Sequence, residues 1–189
     1  MDKALEAVQS MRLDGLEPDV ITYTSLIKAC ALVSIEELSS SVKLAEELFE
    51  AMQQRTNHFS SYIEPNELTY QRLINVHLNI ILLDDITNAI RDTQRDYSIL
   101  RVWNLLFSML KLGMSPGMNI YTNCMKVAQL TNDVGNAMVI LDNIRSDRGS
   151  IDNFDKRCWS IAVNMCYGQG KFLLGKRIEL EMMERGKHL

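Results

Sequence analysis

Proline and tyrosine recur along this chain at a fixed separation, and that rhythm constrains the fold more than any other feature. Pro18 precedes Tyr23, Pro65 precedes Tyr70 and Pro116 precedes Tyr121, each by five residues, with Asp19, Asn66 or Gly117 directly after the proline. A weaker fourth copy runs Phe154-Asp155-Lys156-Arg157-Cys158-Trp159, with phenylalanine for proline and tryptophan for tyrosine. Proline stops the segment before it. Asp19, Asn66 and Asp155 are good N-caps for the apolar segment that follows. Each copy therefore reads as the start of a helix, and a start that repeats implies a stack of similar units.

A second periodic segment lies between the starts. Ala4-Leu5-Glu6-Ala7-Val8-Gln9-Ser10-Met11 matches Ala45-Glu46-Glu47-Leu48-Phe49-Glu50-Ala51-Met52, and Val102–Met109, Ala137–Ile144 and Gly175–Met182 share its shape. Small residues at Ala4, Ala45, Ala137 and Gly175 let two helices approach, and the Met, Leu and Phe at helical spacing bury the seam. Gly15, Gly113, Gly149 and Gly186 sit where these second helices should end. The spacing predicts helices over 2–14, 20–33, 40–54, 67–81, 98–112, 118–131, 133–146, 156–167 and 171–186. The units are a partial repeat at 1–19, repeats at 20–66, 67–117 and 118–155, and a partial or degenerate repeat at 156–189. Excess length falls at 33–41, 55–64 and 79–98, the last with room for an extra helix over about Asp84–Arg95. The fold class is all-α: a single array over 1–189, winding as a right-handed α-solenoid of helix–turn–helix repeats.

Composition agrees. Three prolines, nine glycines and 7% aromatic residues favour long helices over a sheet. Twenty basic against twenty-four acidic residues leave a net charge of −4, so any nucleic-acid site must be a local patch. Cys30, Cys124, Cys158 and Cys166 form no C-x-x-C pair and stand apart from His58, His77 and His188. They read as buried hydrophobes of a reducing compartment, and no metal or cofactor is expected. The most apolar stretch, Leu73 to Leu83, falls short of the roughly twenty residues that span a bilayer, so no membrane insertion is expected. Met1-Asp2-Lys3-Ala4-Leu5-Glu6 carries acid at once, unlike a signal or transit peptide. No nucleophile–base set, H-E-x-x-H, P-loop or dinucleotide fingerprint can be placed, so the chain is not expected to be an enzyme.

The run Pro18-Asp19-Val20-Ile21-Thr22-Tyr23-Thr24-Ser25-Leu26-Ile27, with Ala45-Glu46-Glu47-Leu48-Phe49-Glu50-Ala51-Met52, resembles the pentatricopeptide repeat family, and the likeness extends over nearly the whole chain. The resemblance implies an RNA-binding module that takes one nucleotide of single-stranded RNA per repeat. It implies a mitochondrial or plastid setting and work in transcript stabilisation, processing or translation. In the family the residue after the aromatic and the last residue of the repeat select the base. Those positions hold Thr24 with Asn66, a pair associated with adenine, and Thr122 with Asp155, associated with guanine. Gln71 is paired with Gly117, which is no standard combination, and Ser160 has no partner residue. The aliphatic residue that sandwiches the base corresponds to Ile21 and Leu68, while Asn119 and Arg157 occupy that place in the other two repeats. A lysine usual near the end of the first helix is replaced by Leu32, Asn79, Leu130 and Gly168.

Two patterns in the residues bear on the same question. The first-helix windows contain Lys28, Arg72, Lys126, Lys156 and Arg157 against Glu67 alone, a net +4 within a chain of net −4. Lys28, Arg72, Lys126 and Arg157 are candidates for the RNA backbone, although five charges over four helices could also segregate by chance. Thr24, Gln71, Thr122 and Ser160, followed one turn on by Lys28, Asn75, Lys126 and Asn164, form a polar stripe. That stripe reads equally as the solvent side of amphipathic helices, and capping alone explains Asn66 and Asp155. Stacking contributes ~1–3 kcal/mol per base and association costs ~4–15 kcal/mol, so binding by this chain alone should be weak. With incomplete units at both ends, the chain is expected to be either a piece of a longer array or a stub that needs partners. The alternative is a helical-repeat scaffold that binds other proteins and reads no RNA sequence.

Overall fold

The computed structural model describes residues 6, 8, 10, 11, 13–33, 37–53, 63–82, 89–146 and 156–185. Every regular element among them is a helix. The helices are α1 (Val20–Cys30), α2 (Leu38–Gln53), α3 (Glu67–Ile81), α4 (Ala89–Lys111), α5 (Met118–Leu130), α6 (Val134–Ser146), α7 (Lys156–Gly168) and α8 (Phe172–Arg185). The described residues from Glu6 to Leu13 are helical as well. The chain forms two compact units, Met1–Met114 and Ser115–Leu189.

The expected starts are where the caps form. Asp19 Oδ1 accepts from the Thr22 backbone N–H at 2.8 Å and from the Thr22 hydroxyl at 2.8 Å. Asn66 and Thr69 close a reciprocal capping box on α3. Gly117 caps α5 without a side-chain bond. Asp155, the expected cap of α7, lies outside the described residues, as do Gly149, Gly186 and Asp84–Asp85. The expected ends at Gly15 and Gly113 hold too: φ is +75° and +73° there, and the next residue's N–H reaches back to Met11 and Met109 respectively. The left-handed turn suits glycine and satisfies a carbonyl the helix leaves open.

One element differs from the reading of the sequence. A second helix over 98–112 preceded by a separate one near Asp84–Arg95 is instead a single helix, α4, of 23 residues beginning at Ala89. No proline or glycine occurs between Ala89 and Lys111, so nothing in the sequence breaks the backbone ladder once it has formed.

Within the first unit α1 packs on α2 and α3, α2 also on α3, and α3 on α4; within the second, α5 packs on α6 and α7, α6 also on α7, and α7 on α8. Within each unit the leading first helix, α1 or α5, thus meets its own second helix and the next first helix, the contact pattern of stacked helix pairs. Tyr23, Ile27 and Cys30 from α1, Phe49 and Met52 from α2, and Tyr70, Leu73 and Ile74 from α3 are buried in the first core. Phe49 meets Tyr70 edge to face at 5.3 Å between ring centres. Tyr121, Met125, Ile140, Leu141 and Trp159 fill the second core. Ala45 and Ala137 are fully buried, as close approach requires. A Cβ at Gly175 would lie 2.7 Å from the Tyr167 ring and 3.3 Å from Cys166 Cβ, so only glycine fits the α7–α8 contact as packed. All four cysteines are buried thiols outside any disulfide. Burial pushes the Cys30 thiol up to about 11 and the Cys124 thiol to about 12, leaving both inert at neutral pH.

Candidate nucleic-acid interface

The open side of α1 runs through Ile21, Ser25, Lys28 and Leu32, all exposed. These positions fall one helical turn apart on one face. On α3 the same positions hold exposed Leu68 with half-buried Arg72, Asn75 and Asn79. On α5 they hold exposed Asn119, Lys126 and Leu130 beside half-buried Asn123, and on α7 exposed Arg157, Asn164 and Gly168 beside half-buried Ile161. Ile21 is 73% exposed and Leu68 45%, so both aliphatic side chains stand out from the surface as base-sandwiching residues must.

The solvent face therefore passes beside Thr24 and Thr122; of the expected polar stripe these two leave it, while Lys28, Lys126 and Asn164 are exposed and Gln71, Asn75 and Ser160 half-buried. Thr24 is 6% exposed and Thr122 4%. Thr24 Oγ1 lies 2.8 Å from Thr69 Oγ1 on the next repeat's first helix. The Thr122 hydroxyl donates to the Met118 carbonyl at 2.9 Å and sits 3.4 Å from Cys158 Sγ, again on the next first helix. Both threonines pack in the seam between successive first helices, because their helix position faces the neighbouring repeat. Gln71 Nε2 donates to Glu67 Oε1 at 3.0 Å, and the Ser160 hydroxyl donates to the Lys156 carbonyl at 3.0 Å. Lys126 Nζ donates to Asn123 Oδ1 at 3.5 Å. Asp155 lies outside the described residues.

The structure does bring Thr24 and Asn66 together, through a residue the sequence reading passed over. Thr69 Oγ1 donates to Asn66 Oδ1 at 3.0 Å, and the Thr69 backbone N–H donates to the same oxygen at 3.0 Å. With its one hydrogen so placed, the Thr69 hydroxyl accepts from Thr24. It accepts also from the Asn66 backbone N–H at 3.3 Å. Two donors on Oδ1 fix the amide: Asn66 keeps its oxygen inward and turns Nδ2 outward. The signal was available, since Asp19-x-x-Thr22 and Asn66-x-x-Thr69 share the spacing of a capping box. A second missed role belongs to amides at the far end of the first helices. Asn79 Nδ2 donates to the Ala31 carbonyl at 2.7 Å and Gln169 Nε2 to the Asn132 carbonyl at 2.8 Å, each tying one first helix to the end of the one before.

On the other side of α3 the fold assembles Glu46, His77, Ser98 and Arg101. His77 Nε2 donates to Glu46 Oε1 at 2.9 Å, and Nδ1 lies 3.2 Å from the Ser98 hydroxyl. Arg101 reaches the same carboxylate from Nε at 2.6 Å and from Nη2 at 2.8 Å. Burial alone would raise the Glu46 carboxyl; hydrogen bonds from His77 and Arg101, with the charge of both, outweigh it and hold the group down at about 2. A hydroxyl, an imidazole and a carboxylate in sequence look like a nucleophile set. Here His77 and Ser98 are both fully buried, and the carboxylate is taken up by arginine. The cluster ties α2 to α3 and α4. Among the described residues no group of three His, Cys, Asp or Glu could hold a metal ion, and no helix is long and apolar enough to cross a membrane.

Helix pairs stacked first helix on first helix define a helical-repeat protein of the solenoid class. Residues 6–79, which lie within the first unit, match the family model for the pentatricopeptide repeat domain, a match that supports a protein of the pentatricopeptide repeat type. Proteins of that family generally bind RNA, are mostly organellar and are generally not enzymes. No curated protein matches the chain.

Proposed function

We propose that this chain is a binding module for single-stranded RNA, serving transcript stabilisation, processing or translation in a mitochondrion or plastid, and that its repeats form one array. The observation that carries the reading is the exposed surface of α1 and α3. There Ile21 and Leu68 offer aliphatic contacts to bases, Lys28 and Arg72 offer charge to phosphates, and the Asn66 amide points outward at the edge. Lys126 and Arg157 stand on the equivalent surface of the second unit. Titration with short single-stranded RNA at about 50 and about 200 mM salt tests it. With two phosphate contacts, from Lys28 and Arg72, affinity should fall about sevenfold across that range. Flat, negligible binding would favour a protein-interaction scaffold, a reading supported by Leu100 and Phe107, which α4 leaves 60% and 38% exposed.

Asn66 allows a finer test. Nδ2 is a donor and suits the N1 acceptor of adenine, whereas guanine presents N–H at that position. Asn66→Asp substitutes an acceptor for the donor and still accepts from Thr69, so the cap survives. Uridine oligonucleotides carrying a single adenine or a single guanine should show preference moving from the first to the second. If Asn66→Asp and the parent chain bind the two ligands alike, Asn66 is a cap only.

A further inference from the structure

We propose that α4 carries a self-association surface: its exposed face in one copy of this chain packs antiparallel against the same face of a second copy, forming a two-fold symmetric dimer. The inference uses none of the residues proposed above for RNA and stands apart from that reading.

The exposed face of α4 is a narrow stripe, Tyr97, Leu100, Asn104, Phe107 and Lys111, with Asp96 at its start. The steps along it alternate between three and four residues, the spacing of a helix seam that meets another helix. Tyr97 is 49% exposed, Leu100 60% and Phe107 38%, so the stripe is a row of large apolar groups facing water. Both rings are already held in place. Tyr97 leans on His77 at 6.0 Å between ring centres, and Phe107 stacks on buried Trp103 at 6.3 Å. Docking therefore orders few side chains, which lowers the entropic cost of association. With 23 residues against 16, 13 and 14 in α2, α6 and α8, α4 also offers a longer face than any other second helix.

The distribution of charge points to a second copy as the occupant. Asp96 and Lys111 stand at opposite ends, and the stripe between them is uncharged; Arg101, beside it, is held by Glu46. A parallel pair would set aspartate against aspartate and lysine against lysine. An antiparallel pair, with its two-fold axis between Leu100 and Asn104, sets Tyr97 of each copy by Phe107 of the other and brings Lys111 within a turn of Asp96. Apolar contacts and both charges are then satisfied by one operation, as an isologous interface requires. From Asp96 to Lys111 the face is about 22 Å long. A contact of that length and one helix wide lies at the small end of specific interfaces, so the expected dissociation constant is on the order of 10 µM.

Sedimentation of the full chain from about 1 to about 200 µM tests this, since the range brackets that constant. The parent should pass from monomer to dimer. Leu100→Glu should raise the dissociation constant at least tenfold, because the symmetry buries the new charge twice. Asp96→Lys and Lys111→Glu each place like charges at both ends of the pair and should raise it about threefold to tenfold at low salt. Combining the two substitutions restores opposite charges and should return the constant to within about twofold of the parent. All these side chains are exposed, so thermal midpoints measured well below the dissociation constant should match the parent's. A monomer throughout the range would overturn the proposal. Dimerisation of Leu100→Glu at parental strength would also overturn it, placing the contact elsewhere, such as the exposed Leu173 and Leu180 of α8. Equal constants for the parent, both single charge variants and their combination would exclude the antiparallel pairing and overturn it as well.

Discussion

Replacing Glu46 with alanine is expected to destabilise the first unit by about 3–5 kcal/mol, the cost of stranding buried charge when one partner of a buried pair is removed. A unit of 114 residues has a total of roughly 6–17 kcal/mol to lose. The size of the effect follows from what the carboxylate holds. It accepts two hydrogen bonds from Arg101 and one from His77, with its own side chain only 12% exposed. Without it, His77 Nε2 loses its acceptor inside the fold and the Arg101 head loses its carboxylate, while His77 Nδ1 keeps Ser98. Glu46→Gln keeps one acceptor and should cost less. The pH dependence has a definite sign. The folded carboxyl is held at about 2, below its ordinary 4.5, so its contribution is fully present above pH 4.5 and drains away as pH falls towards 2. Urea midpoints of the parent chain and of Glu46→Ala should therefore converge on acidification. An unfolding free energy for Glu46→Ala within about 1 kcal/mol of the parent at pH 7 would show that the cluster contributes little.

Much of this fold is legible in the sequence because its starts and stops are written in local chemistry. Asp19 and Asn66 cap where a proline–tyrosine rhythm places them, and Gly15 and Gly113 end helices through a backbone angle that depends on one residue alone. The length of α4 was not legible. Arg95, Asp96 and Tyr97 look like the end of an insert, but polar residues do not stop a helix, and only proline or glycine would have done so. The candidate interface was half legible. The period of 3.6 shows which residues share a face, yet it cannot say which face meets water when every neighbour is another helix. That is why Thr24 and Thr122, part of the expected polar stripe, lie in the seam, while Lys28 of the same stripe stands outside beside Ser25. The Glu46–His77–Arg101 cluster joins residues 31 and 55 positions apart, and no spacing rule connects second helices across a repeat boundary.

Trp159 stands where the other three repeats have tyrosine, and truncating it to alanine should be the most damaging single change in the second unit. The side chain is fully buried. Removing so large a side chain from a core costs about 3–5 kcal/mol, as lost transfer energy plus the cavity left behind. A unit of 75 residues holds roughly 4–11 kcal/mol in all, so Trp159→Ala brings it close to unfolding. Further loss comes from above the ring. The Arg145 and Arg185 guanidinium carbons lie 5.3 and 5.1 Å from it, and Glu181 bridges the two arginines, at 2.6 Å from Arg145 and 3.3 Å from Arg185. The indole is thus the floor on which α6 and α8 join charges across α7. A smaller aromatic ring keeps part of that floor, so Trp159→Tyr, which restores the residue of the other repeats, should cost less than half as much as alanine. Hydrogen exchange over 118–185 distinguishes these outcomes. Protection should collapse in Trp159→Ala, fall slightly in Trp159→Tyr, and stay unchanged in both over 20–53. Retained protection of α6 and α8 in Trp159→Ala would mean that the Arg145–Glu181–Arg185 bridge holds those helices without the ring beneath it.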